Sequence, residues 1–87
     1  MITGITTVSG NFMPGTDNNL DLGSLTQRWA NVYVGDMNLS NKGKKNDVDG
    51  TWGNFTLQEG ENDLFIINNR SGKRYKFNLT EIPLGDD

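Results

Sequence analysis

Apolar and polar residues alternate with a period of two through the second half of the chain. In residues 52–58 this alternation places Phe55 and Leu57 on one side of a strand, and residues 73–80 return with the same period. Residues 64–67, Leu-Phe-Ile-Ile, are apolar on both sides, which is typical of a strand covered on two faces. Turn-forming residues separate the three runs at hairpin length. The pattern therefore predicts an all-β fold that ends in a three-stranded antiparallel meander.

A shorter alternation precedes the meander. Residues 29–34 alternate like a strand, and the pattern resumes briefly at Met37 and Leu39. Ser24, followed three residues later by Gln27, fits a helix-capping pattern and predicts a single helical turn. One side of the 29–34 strand carries Trp29, Asn31 and Tyr33, and the other carries Ala30, Val32 and Val34.

These patterns divide the chain into five segments. Pro14-Gly15 closes an extended lead-in, and a polar, charged stretch joins the two halves. The segments are an N-terminal arm (1–16), a segment of short strands (17–41), a polar loop (42–51), the meander (52–82) and a flexible tail (83–87).

The composition predicts that one copy has difficulty in forming a stable core. A chain of 87 residues is near the size at which a single hydrophobic core becomes marginal, and without cysteine or histidine it has no disulfide or usual zinc site. Self-association is the remaining common means of stabilisation. We therefore expect a homo-oligomer, whose candidate subunit contacts are Leu22, Trp29, Val32, Val34, Phe65 and Ile67.

The charge limits the possible partners. A net charge of −3 argues against a nucleic-acid partner, because binding phosphates requires a basic surface. No apolar run is long enough to cross a bilayer, and residues 1–10 do not resemble a signal peptide, so we expect no membrane insertion and synthesis in a cytosol.

Catalytic and metal-binding patterns are weak. Histidine and cysteine bases are absent, and Glu59, Glu61 and Asp63 fall on a predicted turn, where water would surround them. A glycosidase using Glu59 with one of the other two is the enzymatic alternative. Neither oxygen-rich stretch has the EF-hand spacing, although Asp47 and Asp49 leave a looser cation site open. We expect no enzyme, no metal site and no cofactor.

The aromatic residues offer one binding hypothesis. Trp29, Tyr33 and Trp52 could stack on sugar rings, although aromatic residues at strand spacing more often belong to a core or a subunit contact. Arg28 could pair with Asp17 or Asp21 of a neighbouring copy.

Two stretches resemble known proteins. Asp21-Leu22-Gly23-Ser24, followed by Arg28-Trp29, Asn31 and Tyr33, resembles a segment that recurs in bacteriophage tail fibres, where it forms part of a narrow trimeric β-structure. The stretches 36–41, 53–60 and 69–77 are similar to a small module near the ends of structural proteins of aquatic phages. Together the two resemblances cover about two thirds of the chain.

The resemblance implies a homotrimeric structural protein of the virion, assembled in the host cytoplasm, with residues 17–41 intertwined. Only the 16 residues of the N-terminal arm precede the 17–41 segment that contains this motif, so a short fibre, a fibre tip or a capsid decoration is expected. The alternative is a glycan-binding module that recognises the host surface. The N-terminal arm either docks on another virion protein by adding a strand to a sheet edge or is a disordered terminus. Its candidate docking residues are Ile2, Ile5, Val8 and Phe12.

Overall fold

The computed structural model describes residues 4–85, which belong to two compact units, Met1–Ala30 and Asn31–Asp87. Ile2 of the predicted docking arm lies outside the described residues. The first unit consists of turns and extended segments over its described residues, and all four strands lie in the second unit.

The second unit is a single antiparallel sheet of four strands in the order β1-β2-β3-β4. The described residues contain no helix, so the predicted all-β class is confirmed. The predicted meander is also confirmed as β2, β3 and β4, and β1 extends it by one strand through pairing with β2. The strands are β1 (Met37–Ser40), β2 (Asn54–Glu59), β3 (Leu64–Asn68) and β4 (Arg74–Lys76).

The strand register sorts the side chains onto two unlike faces. Residues directly opposite each other in a sheet share a face, and Met37 pairs with Leu57, Leu57 with Ile66, and Ile66 with Tyr75. One face, called the apolar face below, thus carries Met37, Leu39, Phe55, Leu57, Leu64, Ile66 and Tyr75, with Glu59 and Asn68 at the strand ends. The opposite face carries Asn38, Ser40, Asn54, Thr56, Gln58, Phe65, Ile67, Arg74 and Lys76.

Neither face of the sheet carries side chains as buried as those of a normal hydrophobic core. No hydrophobic residue in the described part of the chain is buried, and the buried position is a polar one, Thr56, at 9% exposure. Phe65 and Ile67 make β3 apolar on both faces, but β3 is half-buried because it is an interior strand of the sheet. β3 thus lies inside the sheet, between β2 and β4, and the cover expected on both of its faces from other copies stays a prediction.

Hydrogen bonds between side chains connect the strands on the opposite face. The Thr56 hydroxyl donates to Asn38 Oδ1 over 2.7 Å, and Asn69 Nδ2 donates to Thr56 Oγ1 over 2.8 Å. Asn69 Nδ2 also lies 3.0 Å from its acceptor Asn54 Oδ1. Because Thr56 is both donor and acceptor, this network links β1, β2 and the residue that follows β3.

The hairpin turns are those predicted from the sequence. Gly60 N–H donates to Asp63 C=O over 2.8 Å at the β2–β3 turn. At the β3–β4 turn, Asn68 Oδ1 accepts from Arg70 N–H, and Gly72 adopts a φ of 78° that favours glycine. These local hydrogen bonds fix the loop lengths and hence the register.

Two local expectations are wrong. Residues 29–34 form no strand, because no neighbouring segment in the described chain provides the ladder of hydrogen bonds that defines one. No helical turn forms at Ser24. Instead, Gln27 N–H donates to Ser24 Oγ and Ser24 N–H donates to Gln27 C=O, both over 3.0 Å, so the two residues close a small loop.

Replacing Thr56 with valine should destabilise the sheet. The Thr56→Val variant keeps the shape of the side chain but leaves Asn38 and Asn69 short of a partner, so the free energy of unfolding should fall by about 1–3 kcal/mol. Urea denaturation at fixed protein concentration measures this change. Thr80→Val, at an exposed position, is the control and should change stability by less than about 0.5 kcal/mol. Equal stability of the two variants would contradict a structural role for the network.

Candidate functional site

The apolar face is a candidate contact surface of the second unit. Leu39 is 50% exposed and Tyr75 48% exposed, although both alternate with polar residues that belong to the other face. Only Glu59, at the end of β2, brings a charge to this face. Such a surface can exclude water against a partner but offers few groups that could recognise a polar ligand.

Two of the predicted subunit contacts adjoin this face. Val32 and Val34 line a cavity of about 210 Å³ together with Met37, Leu57 and Leu64. The extended segment before β1 therefore continues the apolar surface, with both valines more than half exposed.

The other two predicted contacts in the second unit lie on the opposite face. Phe65 pairs with Lys76, and Ile67 pairs with Arg74, so charged side chains flank both apolar residues. The Phe65 ring also packs against Gly60, where an added Cβ would lie 2.6 Å from Phe65 Cε2. The chain's own turn therefore partly covers Phe65.

The fibre-like motif forms a small loop within the first unit, called the bracket below. In it Ser24 and Gln27 bond each other, and the Trp29 ring lies beside Gly23. Gly23 has a φ of 83°, and a Cβ built there would lie 3.3 Å from Trp29 Cδ1 and 3.2 Å from Gln27 C=O. The motif thus requires glycine for two reasons, the backbone conformation and the close approach of the indole. Leu22 and Trp29, the remaining predicted subunit contacts, are both exposed, Trp29 at 65%.

Trp52 is not a free stacking platform. The Arg70 guanidinium carbon lies 3.8 Å from the centroid of the Trp52 ring, and Arg70 Nη1 donates to Trp52 C=O over 2.9 Å. Lys42 Nζ also lies 5.6 Å from that centroid. The Arg70 guanidinium thus covers ring surface that a sugar would use, and the indole is half-buried.

The other predicted glycan contacts differ in their surroundings. Tyr33 is 93% exposed, so its ring is accessible to solvent. Trp29 belongs to the first unit and packs against Gly23. The Tyr33 ring is therefore the most accessible of the three predicted platforms.

A groove of about 530 Å³ lies beside Trp52 and contains the Asp49 carboxylate. Asp49 Oδ1 accepts from Thr51 Oγ1 over 2.7 Å, from Asn46 Nδ2 over 2.7 Å and from Thr51 N–H over 3.1 Å. The Thr51 hydroxyl, followed by the Asn46 amide, lowers the pKa of Asp49 below its ordinary value of 3.8. The groove is lined by Asn46, Asp49, Thr51, Trp52, Gly53, Phe55, Asn68, Arg70 and Ser71.

The predicted polar loop is exposed and is ordered by its own hydrogen bonds. Asn46 Oδ1 accepts from the N–H groups of Val48 and Asp49. Over residues 4–85, no group of three or more metal-ligating side chains lies close enough to hold a metal ion. The Asp49 carboxylate instead stabilises the loop.

The carboxylates of the enzymatic alternative lie around the β2–β3 turn. Glu59 and Glu61 are exposed, and Asp63 is half-buried. The turn brings the three close in sequence, and it leaves both glutamates in contact with water.

The described residues of the predicted docking arm are accessible. Ile5 and Phe12 are almost fully exposed, and Val8 is about half exposed. They form no strand in the single chain.

Sequence reasoning missed two features of the site. The apolar face joins Met37, Leu39 and Tyr75 into one surface, and the period-two pattern had already placed each of them on one side of its own strand. The strand register was needed to show that the three sides coincide. The contact between Arg70 and Trp52 had no signal in the sequence, because the antiparallel register of β2 and β3, with Phe55 opposite Asn68, brings the two together.

Comparisons with protein families, with curated proteins and with solved structures found no match to this chain. Within the described range, the structure has no helix with the length and apolar character needed to span a membrane.

A substitution at Gly23 should loosen the bracket. Alanine costs about 1–2 kcal/mol in a left-handed backbone conformation, so amide hydrogen exchange at Gln27, whose N–H donates to Ser24 Oγ, should accelerate by about 5- to 30-fold in Gly23→Ala. Gly10→Ala is the control, because an added Cβ there meets open space without a left-handed φ. Unchanged exchange in Gly23→Ala would show that the bracket does not depend on this glycine.

Removing the Thr51 hydroxyl should raise the pKa of Asp49. Since folding lowers this pKa, the carboxylate stabilises the loop above the ordinary value of 3.8, and this contribution is lost as the pH falls through the lowered value. In Thr51→Val the Asp49 pKa should return towards 3.8, as measured by NMR titration of the side-chain carboxyl carbon. Thr7→Val, in the other unit, should leave the titration unchanged. A Thr51→Val curve identical to wild type would refute the proposed cause.

Proposed function

We propose that this chain is a non-enzymatic structural protein of a bacteriophage virion that acts as a homotrimer, as a short fibre, a fibre tip or a capsid decoration in particle assembly or host attachment. The proposal combines the fibre-like motif at Asp21–Ser24 and Arg28–Trp29 with the surface properties of the folded chain. The three-fold stoichiometry comes from the resemblance, and the need for partners comes from the surface.

The lack of buried hydrophobic residues is the observation that carries the proposal. Among the residues that the structure describes, no hydrophobic residue is buried, and large apolar side chains are exposed in both units. Apolar side chains that a single chain leaves in water gain free energy when partners cover them. This supports assembly as the normal state of the protein.

The bracket supports the same proposal. Its glycine and tryptophan pack together, while Leu22 and Leu25 remain exposed beside them. A local structure that fixes the backbone and leaves apolar side chains outside is suited to repeated contact with other chains.

Glycan binding is the weaker function. Stacking on Trp52 would require displacement of Arg70 from a ring to which it is held by both a 3.8 Å contact and a hydrogen bond. The exposed Tyr33 ring favours the hypothesis, but it contributes one accessible platform without a surrounding cleft. We therefore place assembly first and host recognition second.

A solution mass measurement tests the proposed assembly. Sedimentation equilibrium and native mass spectrometry at low-micromolar concentration should give three times the chain mass of 9.7 kDa, with circular dichroism showing a folded β-protein. Immunogold electron microscopy should then place the chain on intact phage particles. A folded species with the mass of a single chain would overturn the proposal, as would particles that carry no label.

A further inference from the structure

We infer that a groove on the opposite face of the sheet receives the apolar side chains Ile82 and Leu84 of a neighbouring copy of this chain. The inference rests on the proposed homo-oligomer and names the segment that occupies one of its contact sites. The groove has a volume of about 410 Å³ and is lined by Gln58, Phe65, Ile67, Arg74, Tyr75 and Lys76.

The groove combines apolar and cationic side chains. The register sets Phe65 opposite Lys76 and Ile67 opposite Arg74, so each apolar side chain has a cation beside it. Arg74 and Lys76 are exposed, and within residues 4–85 neither is paired with a carboxylate. A segment that joins apolar side chains to negative charge would therefore match this groove.

Charge is distributed unevenly along the second unit. Residues 70–76, which include β4, carry four of the eight basic residues of the chain and no acidic one. Residues 81–87 carry three of the 11 acidic residues, Glu81, Asp86 and Asp87, and no basic one. The hairpin that ends in β4 and the C-terminal segment are therefore complementary in charge.

The C-terminal segment leaves its apolar side chains in water. Ile82 is 81% exposed and Leu84 is fully exposed, so the single chain does not fill the groove with its own segment. These two side chains are two residues apart, as are Phe65 and Ile67 in β3, which is the spacing of neighbours on one side of an extended chain. Residues 77–83 contain no turn, so this part of the chain can lie along a strand without unfolding local structure.

Other exposed apolar segments match the groove less well. The N-terminal arm exposes Ile5 and Phe12, but residues 1–16 contain no acidic residue. Residues 17–28 combine leucines with two aspartates, but they also include Arg28 and fold into turns and bends. The C-terminal segment is therefore the occupant that charge and conformation favour.

A contact of this kind agrees with a three-fold assembly. The groove and the segment are different surfaces of one chain, so each copy can give its segment to the next copy and receive one from the previous copy. Such a heterologous contact forms a closed ring of three when successive copies are related by a three-fold rotation. The contact therefore needs no second type of interface to complete a homotrimer.

The Leu84→Ser variant tests the segment without disturbing the sheet, because Leu84 is fully exposed in the single chain. By sedimentation equilibrium, the apparent affinity of assembly should fall by about tenfold or more per contact, since a leucine side chain is no longer buried. Val48→Ser is the matched control, because Val48 is 96% exposed in the polar loop, and it should assemble like wild type.

The outcomes separate the inference from the proposed function. Assembly of Leu84→Ser at wild-type affinity would overturn the assigned contact and leave the proposed homo-oligomer intact. Equal weakening of assembly in Leu84→Ser and Val48→Ser would also overturn it. A wild-type chain that is itself monomeric would instead refute the proposed function and the inference with it.

Disulfide cross-linking identifies which copy gives the segment. The chain has no cysteine, so Lys76→Cys combined with Leu84→Cys places one thiol at the groove and one on the segment. Mild oxidation of the assembled double variant should give products of up to three chain masses on a denaturing gel, because each disulfide joins two copies. Lys42→Cys combined with Leu84→Cys is the control, and it should remain a single chain mass.

Two results of the cross-linking would overturn the inference. An internal disulfide within a single chain mass would show that the segment fills the groove of its own chain. Absence of any disulfide in the assembled Lys76→Cys/Leu84→Cys variant would show that the segment lies elsewhere.

Discussion

The exposed apolar face of a one-layer sheet is the constraint on which the rest of this structure depends. A β-sheet with one hydrophobic face normally packs against a second layer, and the described part of this chain buries no hydrophobic residue at all. The sheet is antiparallel throughout and its register is regular, so the apolar row from Met37 to Tyr75 follows from the pairing and not from a local distortion. Covering that row would remove apolar surface from water, and assembly is the route that the proposed function provides.

Hydrogen bonds supply much of the order that a core would otherwise supply. Asparagine side chains close the loop between β1 and β2, where Gly53 N–H donates to Asn41 Oδ1 over 2.7 Å, and they connect the strands around Thr56. This use explains why 12 asparagines in 87 residues are compatible with a defined fold. Each such bond contributes only about 0.5–1.5 kcal/mol net, so together they fix the geometry of the sheet but do not replace the burial of its apolar face.

In the first unit, the Ser24–Gln27 pattern forms the hydrogen bond that it predicts, but not the helical turn. The spacing of Ser24 and Gln27 does produce the hydrogen bond expected of a helix cap, with Gln27 N–H donating to Ser24 Oγ. The return bond uses the Gln27 backbone carbonyl, however, and this closes a loop instead of starting a helix. Residues 29–34 were likewise misread, because their alternating pattern indicates a preference for the strand conformation, yet they form no strand. A strand forms only where another segment supplies hydrogen bonds, and an alternating pattern cannot indicate which segment that is.

The sequence by itself determined the all-β class, the strands of the meander and the turns between them, because period-two alternation and the turn preferences of glycine and asparagine act over a few residues. The tertiary structure decided which strand sides coincide. It added β1 to the sheet, joined Met37, Leu57, Ile66 and Tyr75 on one face, and moved Phe65 and Ile67 to the other. It also placed Arg70 on Trp52 across 18 residues of chain. These outcomes depend on register and on loop paths, which are set by contacts between residues distant in sequence and so leave no local pattern to read.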